Sequence, residues 1–491
     1  MAYGTLDRLE SSVKPEELFK FIAKRQPIVI KGLPNDEDFK ATQWVHFEYL
    51  KSKAGDSEVL VQPIHPASRQ YGSDVERISV SFRDFLASLE SADGPHHYLT
   101  TQYSEQDEDE HTMLPPPANA LTDDFPLVPK LMGNLSLQQV NLWVGKSKEG
   151  STSGLHHDFH DNLYCLLQGR KRFVLYPPQE LPNLYPYGTL DTIHPNGLIS
   201  YKDAPVRADG LPLRLALQTR IRAIEQKLDS LPKEDVKRKG KGKGKGRGIS
   251  KERKALMEMH DQALDELAQM ALDGDGGFGM EDEVDDFDAL MAGLDGEQDG
   301  EEAGTSGLHG DGERDEEDED EEDEDEDEDG DQAPADEDET SSEPPSFSRI
   351  PTALVHKHLD LPTTAVAPTS PTLTDFPNLS KACSPYVVDL NAGEMLFLPA
   401  SWWHEVTSFS GDGNGVHMAF NYWFYPPTSD SFEEPYEDSL VWEYLKGRER
   451  EKAGESKNRQ NGTEERVDGK KRKTADEPLQ DSKSKKIPRK Q

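Results

Sequence analysis

Residues 151–178, STSGLHHDFHDNLYCLLQGRKRFVLYPP, decide the fold class of this chain. After a histidine-rich start they contain two runs, NLYCLL and KRFVLYPP, that are rich in aliphatic and aromatic residues and are separated by a glycine. Comparable runs precede them in VNLWVG and follow them in YVVDL, EMLFLPA and VHMAFNYWFY. Gly, Pro and Asn bound these runs, which predict antiparallel strands. Together they indicate a mainly β fold, a double-stranded β-helix of the jelly-roll type.

The first part of the chain, residues 1–125, predicts helices and strands that pack on this barrel. Pro15, followed by two glutamates, begins a helix, because proline and acidic residues are both favoured in a first turn. PIVIKG at 27–32 has the composition of a short buried strand. Four apolar residues at helical spacing within 82–89 indicate a second helix.

A long insertion interrupts the barrel. The strand-like runs fall into residues 126–207 and residues 346–440, and the segment between them, 208–345, is of low complexity. Apolar residues recur at three- and four-residue spacing near 217–231 and again in 255–272. We therefore expect a disordered insertion with two helical islands, whose ends lie close together at one surface loop.

The charge of the chain is concentrated in this insertion. KRKGKGKGKGRG at 237–248 is basic, whereas residues 271–345 hold 36 acidic residues and one arginine, which is −35 of the formal net charge of −40. Such a composition cannot bury enough apolar surface to fold. An acidic tract attracts basic proteins by electrostatic steering, so these are its candidate partners.

The end of the chain, residues 441–491, predicts a basic disordered tail. Its clusters KKRK and KSKK are typical of a nuclear-import signal or a nucleic-acid contact, and equally of a solvated tail. Only Cys165 and Cys383 are present, and we find neither an apolar leader nor a long apolar run. We expect a reduced intracellular protein, cytoplasmic or nuclear, without membrane contact.

The stretch SGLHHDFHDN, residues 153–162, contains the first candidate metal ligands. Side chains two positions apart share one face of a strand. His156 and Asp158 therefore point into the barrel together, and His157 points the opposite way. This pair alone is as compatible with an ordinary polar strand end as with a metal site.

The remaining polar residues of the stretch are weaker candidates. His160 could join the pair only if the strand continued that far. Asp161 and Asn162 have the composition of a turn, which argues that it does not. We expect neither His160 nor Asp161 to bind the metal.

A third candidate ligand is His404, which lies in GEMLFLPASWWHEV at 393–406. A histidine in such an apolar stretch needs a partner, since an unsatisfied buried polar group costs about 1–3 kcal/mol. Two histidines and one carboxylate are the facial triad of non-haem Fe(II) oxygenases. Zinc accepts the same residues but usually settles in tetrahedral sites, so iron is favoured.

These motifs resemble the JmjC-domain 2-oxoglutarate oxygenases, in particular the small cupin-like hydroxylases. The segment from VNLWVG to LHHDFHDNLYCLLQGRK is most similar to the JmjC bifunctional peptidase and (3S)-lysyl hydroxylase. The resemblance covers the whole barrel and, more weakly, the region before it, but neither the insertion nor the tail. It implies Fe(II) as the cofactor, with 2-oxoglutarate and O2 as cosubstrates.

The resemblance also implies roles for single positions. His156, Asp158 and His404 fall on the iron ligands, which form the catalytic centre. Five further positions fall on residues that contact 2-oxoglutarate in relatives, and they are Lys171, Ser153, Asn162, Tyr98 and Asn421.

Three of these five assignments have alternatives. Lys171 shares a strand face with Phe173, so the barrel would surround its ammonium with apolar neighbours unless a dicarboxylate paired with it. The alternative is an outward-pointing surface lysine. Tyr98 equally fits core packing, and Asn421 equally fits a buried structural amide.

The expected function is that of a protein hydroxylase, with lysine as the target residue and succinate and CO2 as products. A histone lysine demethylase is the second candidate, although such enzymes commonly have a glutamate ligand and zinc-bearing reader domains, which two cysteines cannot build. A non-catalytic protein that binds histones or ribosomes through the acidic tract is the third. A peptidase has no supporting Cys/His or Ser/His arrangement.

His157 and Glu405 lie next to candidate metal ligands in the sequence. Each of them either faces a cationic target or has a surface role.

Overall fold

The computed structural model describes residues 3–64, 71, 75–91, 94, 97–102, 113–147, 150–202, 204–231, 251–273, 344–362, 372–411 and 415–447. Contacts divide the chain into two compact units, one made of Met1–Met270 with Glu343–Gln491 and the other of Ala271–Ser342. The second unit lies outside the described residues except for the end of one helix. The fold is that of the first unit.

Two sheets form the predicted double-stranded β-helix, and the mainly β fold class is confirmed. A sheet of four strands has the order β12-β9-β14-β7, and a sheet of nine has the order β1-β2-β13-β8-β15-β6-β5-β3-β4. A separate pair, β10-β11, lies outside both. The strands are β1 Arg8–Leu9, β2 Ile28–Lys31, β3 Glu58–Pro63, β4 Ile78–Ser81, β5 His97–Leu99, β6 Leu137–Gly145, β7 Ser151–His156, β8 Asp161–Gln168, β9 Arg170–Tyr176, β10 Leu190–Ile193, β11 Ile199–Tyr201, β12 Tyr386–Asn391, β13 Glu394–Leu398, β14 Trp403–Phe409 and β15 His417–Phe424.

Apolar side chains from both sheets meet in one core cluster. Phe173 and Leu175 of β9 enter it from the smaller sheet, and Tyr164 and Leu166 of β8 enter it from the larger one. Because side chains alternate along a strand, the inward face of β9 also carries Lys171. The barrel interior is therefore apolar around a single lysine of that strand.

Helices cover the outer faces of the sheets. One cluster of buried residues joins the larger sheet to α1, α2 and α3, and another joins the smaller sheet to α4 and α7. None of the helices in the described ranges is long and apolar enough to cross a membrane. The helices are α1 Pro15–Ala23, α2 Phe47–Ala54, α3 Phe82–Glu90, α4 Leu181–Leu184, α5 Leu213–Ser230, α6 Lys251–Asp273 and α7 Thr352–His358, with 3-10 turns at Ala41–Val45, Ala118–Ala120, Thr122–Asp124, Lys130–Met132, Pro178–Glu180 and Pro377–Lys381.

The N-terminal part does more than pack on the barrel, because its strands extend the larger sheet. On one side β2 pairs antiparallel with β13, with Ile30 opposite Met395. On the other side β5 pairs with β6, with Leu99 opposite Val144. The helices predicted at Pro15 and in 82–89, and the strand predicted in 27–32, are present as α1, α3 and β2.

The predicted start of the insertion at residue 208 is wrong. Helix α5 buries one face, with Ala216 and Ile224 at 2% and 0% exposure. Just before α5, Asp209 accepts a hydrogen bond from the indole of Trp442 at 3.0 Å. A helix whose apolar side finds a packing partner belongs to the domain even when its neighbours in sequence are of low complexity.

Helix α6, the second predicted island, lies against α5. Arg253 donates to the carbonyl of Leu228 at 3.0 Å, and the Nε2 atom of His260 is 3.3 Å from a carboxylate oxygen of Glu225. Both predicted helices are therefore present, although α5 belongs to the domain and is not an island within the insertion. The basic run and the acidic tract lie outside the described residues, and their disorder stays a prediction.

The predicted start of the tail at residue 441 is also wrong. Residues 439–447 are helical. Within them Val441 and Trp442 are 0% and 2% exposed, and the Trp442 ring stacks on Tyr436 at 3.9 Å. These apolar side chains anchor the segment to the barrel, whereas the basic clusters of the tail lie outside the described residues.

Candidate metal centre

Three donor side chains converge where β7 runs beside β14. His156 is the last residue of β7 and is paired with His404 of β14. One ligand atom each from His156, Asp158 and His404 lies within 4.8 Å of the others, and the Nε2 atom of His404 is 3.8 Å from the Oδ2 atom of Asp158. Asp158 follows the end of the strand, so the predicted common strand face does not explain its position. The donor set is that of a 2-His-1-carboxylate facial triad.

Backbone carbonyls orient both imidazole rings. His156 Nδ1 is 2.8 Å from the carbonyl oxygen of Gly154, and His404 Nδ1 is 2.9 Å from that of Trp402. A carbonyl only accepts, so each Nδ1 carries the proton and each Nε2 keeps a lone pair for a metal. Burial, together with the neighbouring His404, lowers the pKa of His156 to about 4. His156 is therefore a neutral, metal-competent imidazole at pH 7.

The other two histidines of the stretch lie elsewhere. His157 is buried on the opposite side, where its Nε2 is 2.8 Å from the hydroxyl of Tyr201 and the two rings stack. His160 stacks on the ring of Trp423 at 6.1 Å. Neither belongs to the group of donors that converge on the triad.

Asp161 has a structural role, and the predicted turn at Asp161 and Asn162 is wrong. Both residues begin β8. The fully buried Asp161 carboxylate receives two hydrogen bonds from the guanidinium of Arg25 and one from the backbone N–H of Ala400 at 2.9 Å. Paired in this way, the carboxylate tolerates burial and allows the strand to start at a charged residue.

Lys171 points into the barrel, so the surface alternative is wrong. It is 1% exposed, and its ammonium donates to the hydroxyls of Ser408 at 2.5 Å and Tyr98 at 3.2 Å. Among the described residues no carboxylate forms an ion pair with it. Burial lowers the pKa of Lys171 to about 7. An anion bound beside it would restore its charge.

A cavity of about 80 Å³ joins Lys171 to the three metal donors. The predicted residues Ser153, Tyr98 and Asn162 also line it. Within the part of the chain that the structure describes, the hydroxyl of Ser153 is buried and has no hydrogen-bond partner. A cation and a free hydroxyl on one wall form a site suited to a carboxylate. The full lining is Tyr71, Tyr98, Trp143, Ser151, Thr152, Ser153, His156, Asp158, Asn162, Tyr164, Lys171, Phe173, Leu398, His404, Val406 and Ser408.

Asn421 does not line this cavity but supports a residue that does. Its amide N–H donates to Asn162 Oδ1 at 3.0 Å, and its carbonyl oxygen accepts from the indole of Trp143 at 2.8 Å. The structural-amide alternative therefore describes its contacts, and Asn162 is the member of the pair that reaches the cavity.

Four residues near the site were not predicted. Ser408 lies on the inward face of β14, four residues after His404, and alternation along the strand could have found it. Tyr71 meets Ser153 through an isolated bridge, which no local pattern indicates. The His417 imidazole is 1% exposed and lies against Tyr98 at 5.4 Å, and neither of its ring nitrogens has a hydrogen-bond partner among the described residues. Phe347 stacks on His156.

Both alternatives for Glu405 and His157, a cationic target and a surface role, are wrong, because both side chains are buried. Glu405 is 0% exposed on the outer face of β14. It accepts hydrogen bonds from Thr407 at 2.7 Å and from Thr152, and its Oε2 is 3.0 Å from His356 Nε2. The carboxylate belongs to a buried polar network beneath α7.

Comparison with known proteins agrees with the fold. Residues 15–430 match the family model described as Cupin-like domain, and the chain therefore belongs to the cupin-like domain family. It is 35% identical over 453 residues to JmjC domain-containing protein 4 of Schizosaccharomyces pombe, a match that covers 88% of this chain and 87% of that protein.

Shorter matches connect the chain to other members. The lysine-specific demethylase JMJ31 of Arabidopsis thaliana is 28% identical over 191 residues, which cover 33% of each protein. The tRNA wybutosine-synthesizing protein 4 of Neurospora crassa is 27% identical over 188 residues, 36% of this chain but 14% of that protein. The chain thus spans a third or less of these two relatives.

The resemblance to JmjC-domain proteins is confirmed, and membership implies a 2-oxoglutarate-dependent oxygenase in general. The residues present fit that chemistry. Two imidazole nitrogens and a carboxylate are suitable donors for Fe(II). Buried Lys171 and the unpartnered hydroxyl of Ser153 are suitable for the far carboxylate of 2-oxoglutarate.

Proposed function

We propose that this protein is an Fe(II)- and 2-oxoglutarate-dependent protein hydroxylase that acts on lysine side chains and releases succinate and CO2. The observation that carries the proposal is the convergence of His156, Asp158 and His404 within 4.8 Å at one end of a cavity that Lys171 also lines. A hydroxylase needs this combination of metal donors and an anion-binding cation.

The protein's own residues supply binding, orientation and exclusion of water. His156, Asp158 and His404 would hold Fe(II), which when bound supplies the oxidising chemistry with O2 and the cosubstrate. Lys171 and Ser153 would bind the far carboxylate of 2-oxoglutarate. Tyr98 and Ser408 keep the Lys171 ammonium in place through its two hydrogen bonds. Asn421 holds Asn162 against the cavity.

Two points support a lysine hydroxylase over a demethylase. The proposed carboxylate donor is Asp158, where demethylases commonly have glutamate, and the motifs of the barrel led us to infer the lysyl hydroxylase branch. A lysine-specific demethylase remains the second candidate, because JMJ31 carries that name and matches a third of this chain. Both reactions oxidise a C–H bond, and they differ in whether the oxygen stays on the target or leaves with a methyl carbon.

Turnover tests the catalytic part of the proposal. Purified protein with Fe(II), ascorbate and 2-oxoglutarate should release succinate in the absence of a protein substrate, at the slow uncoupled rate. His404→Ala should abolish this release because it removes one of three metal donors. His160→Ala is the matched control from the same motif and should keep most of it. Equal loss in both variants would contradict the assigned donors.

Mass spectrometry tests the target residue. Proteins captured from a cell extract by Asp158→Ala are incubated with the active enzyme, and their lysines are searched for a mass gain of one oxygen. A stable oxygen on an unmethylated lysine supports hydroxylation. Release of formaldehyde from a methylated lysine peptide, without a retained oxygen, would support demethylation.

A non-catalytic binding protein makes a different prediction. If the acidic tract alone carried the function, Asp158→Ala would keep its cellular effect while losing turnover. Basic proteins are the proposed partners of this tract, with contact to nucleic acid through the tail left to experiment. The proposed location is cytoplasmic, nuclear or both.

A further inference from the structure

A short strap, residues 344–350, crosses the end of β7 directly after the acidic tract. The backbone N–H of Ser348 donates to the carbonyl of Leu155 at 2.8 Å, and the N–H of His157 donates to the carbonyl of Ser346 at 3.1 Å. Since β7 is an edge strand of the smaller sheet, the strap satisfies backbone groups that the edge would otherwise leave unpaired.

The strap also accepts backbone hydrogen bonds on the side away from β7. Tyr187 donates its backbone N–H to the carbonyl of Phe347 at 2.9 Å, and Gly188 donates to that of Pro345 at 3.0 Å. A Cβ atom on Gly188 would lie 2.4 Å from the Pro345 side chain, so only glycine allows this approach. The strap is therefore held between β7 and residues 185–188.

The strap also contacts a metal donor. The Phe347 ring stacks on the His156 imidazole, with 4.9 Å between ring centroids and an angle of 18° between their planes. Gly154 fixes the same imidazole through Nδ1. One contact sets the direction of the ring in its plane, and the other restricts its tilt.

We propose that the strap is a positioning element of the metal centre, in which Phe347 fixes the plane of the His156 ring, so that metal binding and strap order are coupled. The inference rests on the proposed metal site. Hydrogen-bonding partners that orient metal ligands typically change metal affinity by about 10–100-fold when they are substituted, and for a stacking contact we expect the lower end of this range. Coupling is reciprocal, so a metal that binds tighter with the strap in place must also stabilise the strap.

Cobalt titration tests whether Phe347 positions the metal ligand His156. Co(II) is added to the full-length protein, and the visible absorption of the bound ion reports both affinity and ligand geometry. Phe347→Ala should weaken binding about 10-fold and change the spectrum. Phe347→Tyr, which keeps the ring, should have the affinity and the spectrum of the wild type, whereas Phe347→Leu should behave like Phe347→Ala. Phe376→Ala is the matched control, because Phe376 packs edge-on against Tyr185 in the same region and does not contact His156.

Hydrogen exchange tests whether metal binding stabilises the strap. Co(II) should slow exchange at the backbone amides of Ser348 and Tyr187 in the wild type, and should do so less in Phe347→Ala. Unchanged affinity, spectrum and exchange in Phe347→Ala would overturn the inference and leave the proposed function intact. If the wild type binds Co(II) through the strap-coupled site but shows no turnover with iron, the proposed function fails and the inference stands.

Discussion

Lys171→Met should change how the stability of the metal-free, cosubstrate-free protein depends on pH. Burial lowers the pKa of Lys171 from 10.5 to about 7 in the folded state. Between these two values the unfolded chain holds a proton that the folded chain has released. The folded state is therefore favoured increasingly as pH rises, by up to about 1.4 kcal/mol per pH unit. From pH 7 to pH 9 the gain amounts to about 2 kcal/mol.

Urea unfolding of the wild type and of Lys171→Met at pH 7, 8 and 9 measures this difference. The wild type should gain stability relative to the variant across the range, and the variant should be the more stable protein at pH 7 because methionine needs no counter-charge. Saturating 2-oxoglutarate should flatten the slope of the wild type only, since its carboxylate keeps Lys171 charged. Lys202→Met, at an exposed position, is the control. Parallel curves for the wild type and Lys171→Met would refute the argument.

Three further predictions concern the stability of the fold and the role of the insertion. Arg25→Met should lower the free energy of unfolding by about 3–5 kcal/mol, because it leaves the fully buried carboxylate of Asp161 without its ionic partner; a loss below 1 kcal/mol in urea unfolding would contradict that role. Replacing residues 274–342 by a flexible linker should leave Co(II) binding and uncoupled succinate release unchanged. Deleting 210–343 should abolish cooperative unfolding, since it removes the buried face of α5. Equal stability of the two deletions would contradict the packing of α5 on the barrel.

Local pattern explains what could be predicted from the sequence. The resemblance assigned Lys171 to the cosubstrate site, and the alternation in KRFVLYPP agreed with an inward side chain. The first-turn residues placed α1, and apolar spacing placed α3, α5 and α6. The metal donors followed from residue type and resemblance, although Asp158 lies beyond the strand that was thought to position it. Strand periodicity thus selected a carboxylate that lies beside the two histidines, but for a partly wrong reason.

The remaining features depend on contacts between distant parts of the chain. The local sequence predicts a turn at Asp161. Its place in a buried strand depends on an ion pair with Arg25, which is far away in sequence. In the sequence, low-complexity or charged segments include residues 344–345 and 441–447. Only their hydrogen bonds and packing contacts with the rest of the domain assign them to the fold. Phe347 and His417 carry no motif, because each is defined by the ring against which it packs.

The most direct test of the central claim is the location of iron in crystals of the protein grown with Fe(II) under anaerobic conditions. Anomalous scattering at the iron absorption edge should show one peak, bound by Nε2 of His156, Nε2 of His404 and a carboxylate oxygen of Asp158. A peak elsewhere, or one from which His404 is absent, would contradict the assignment of this barrel as an iron-dependent oxygenase.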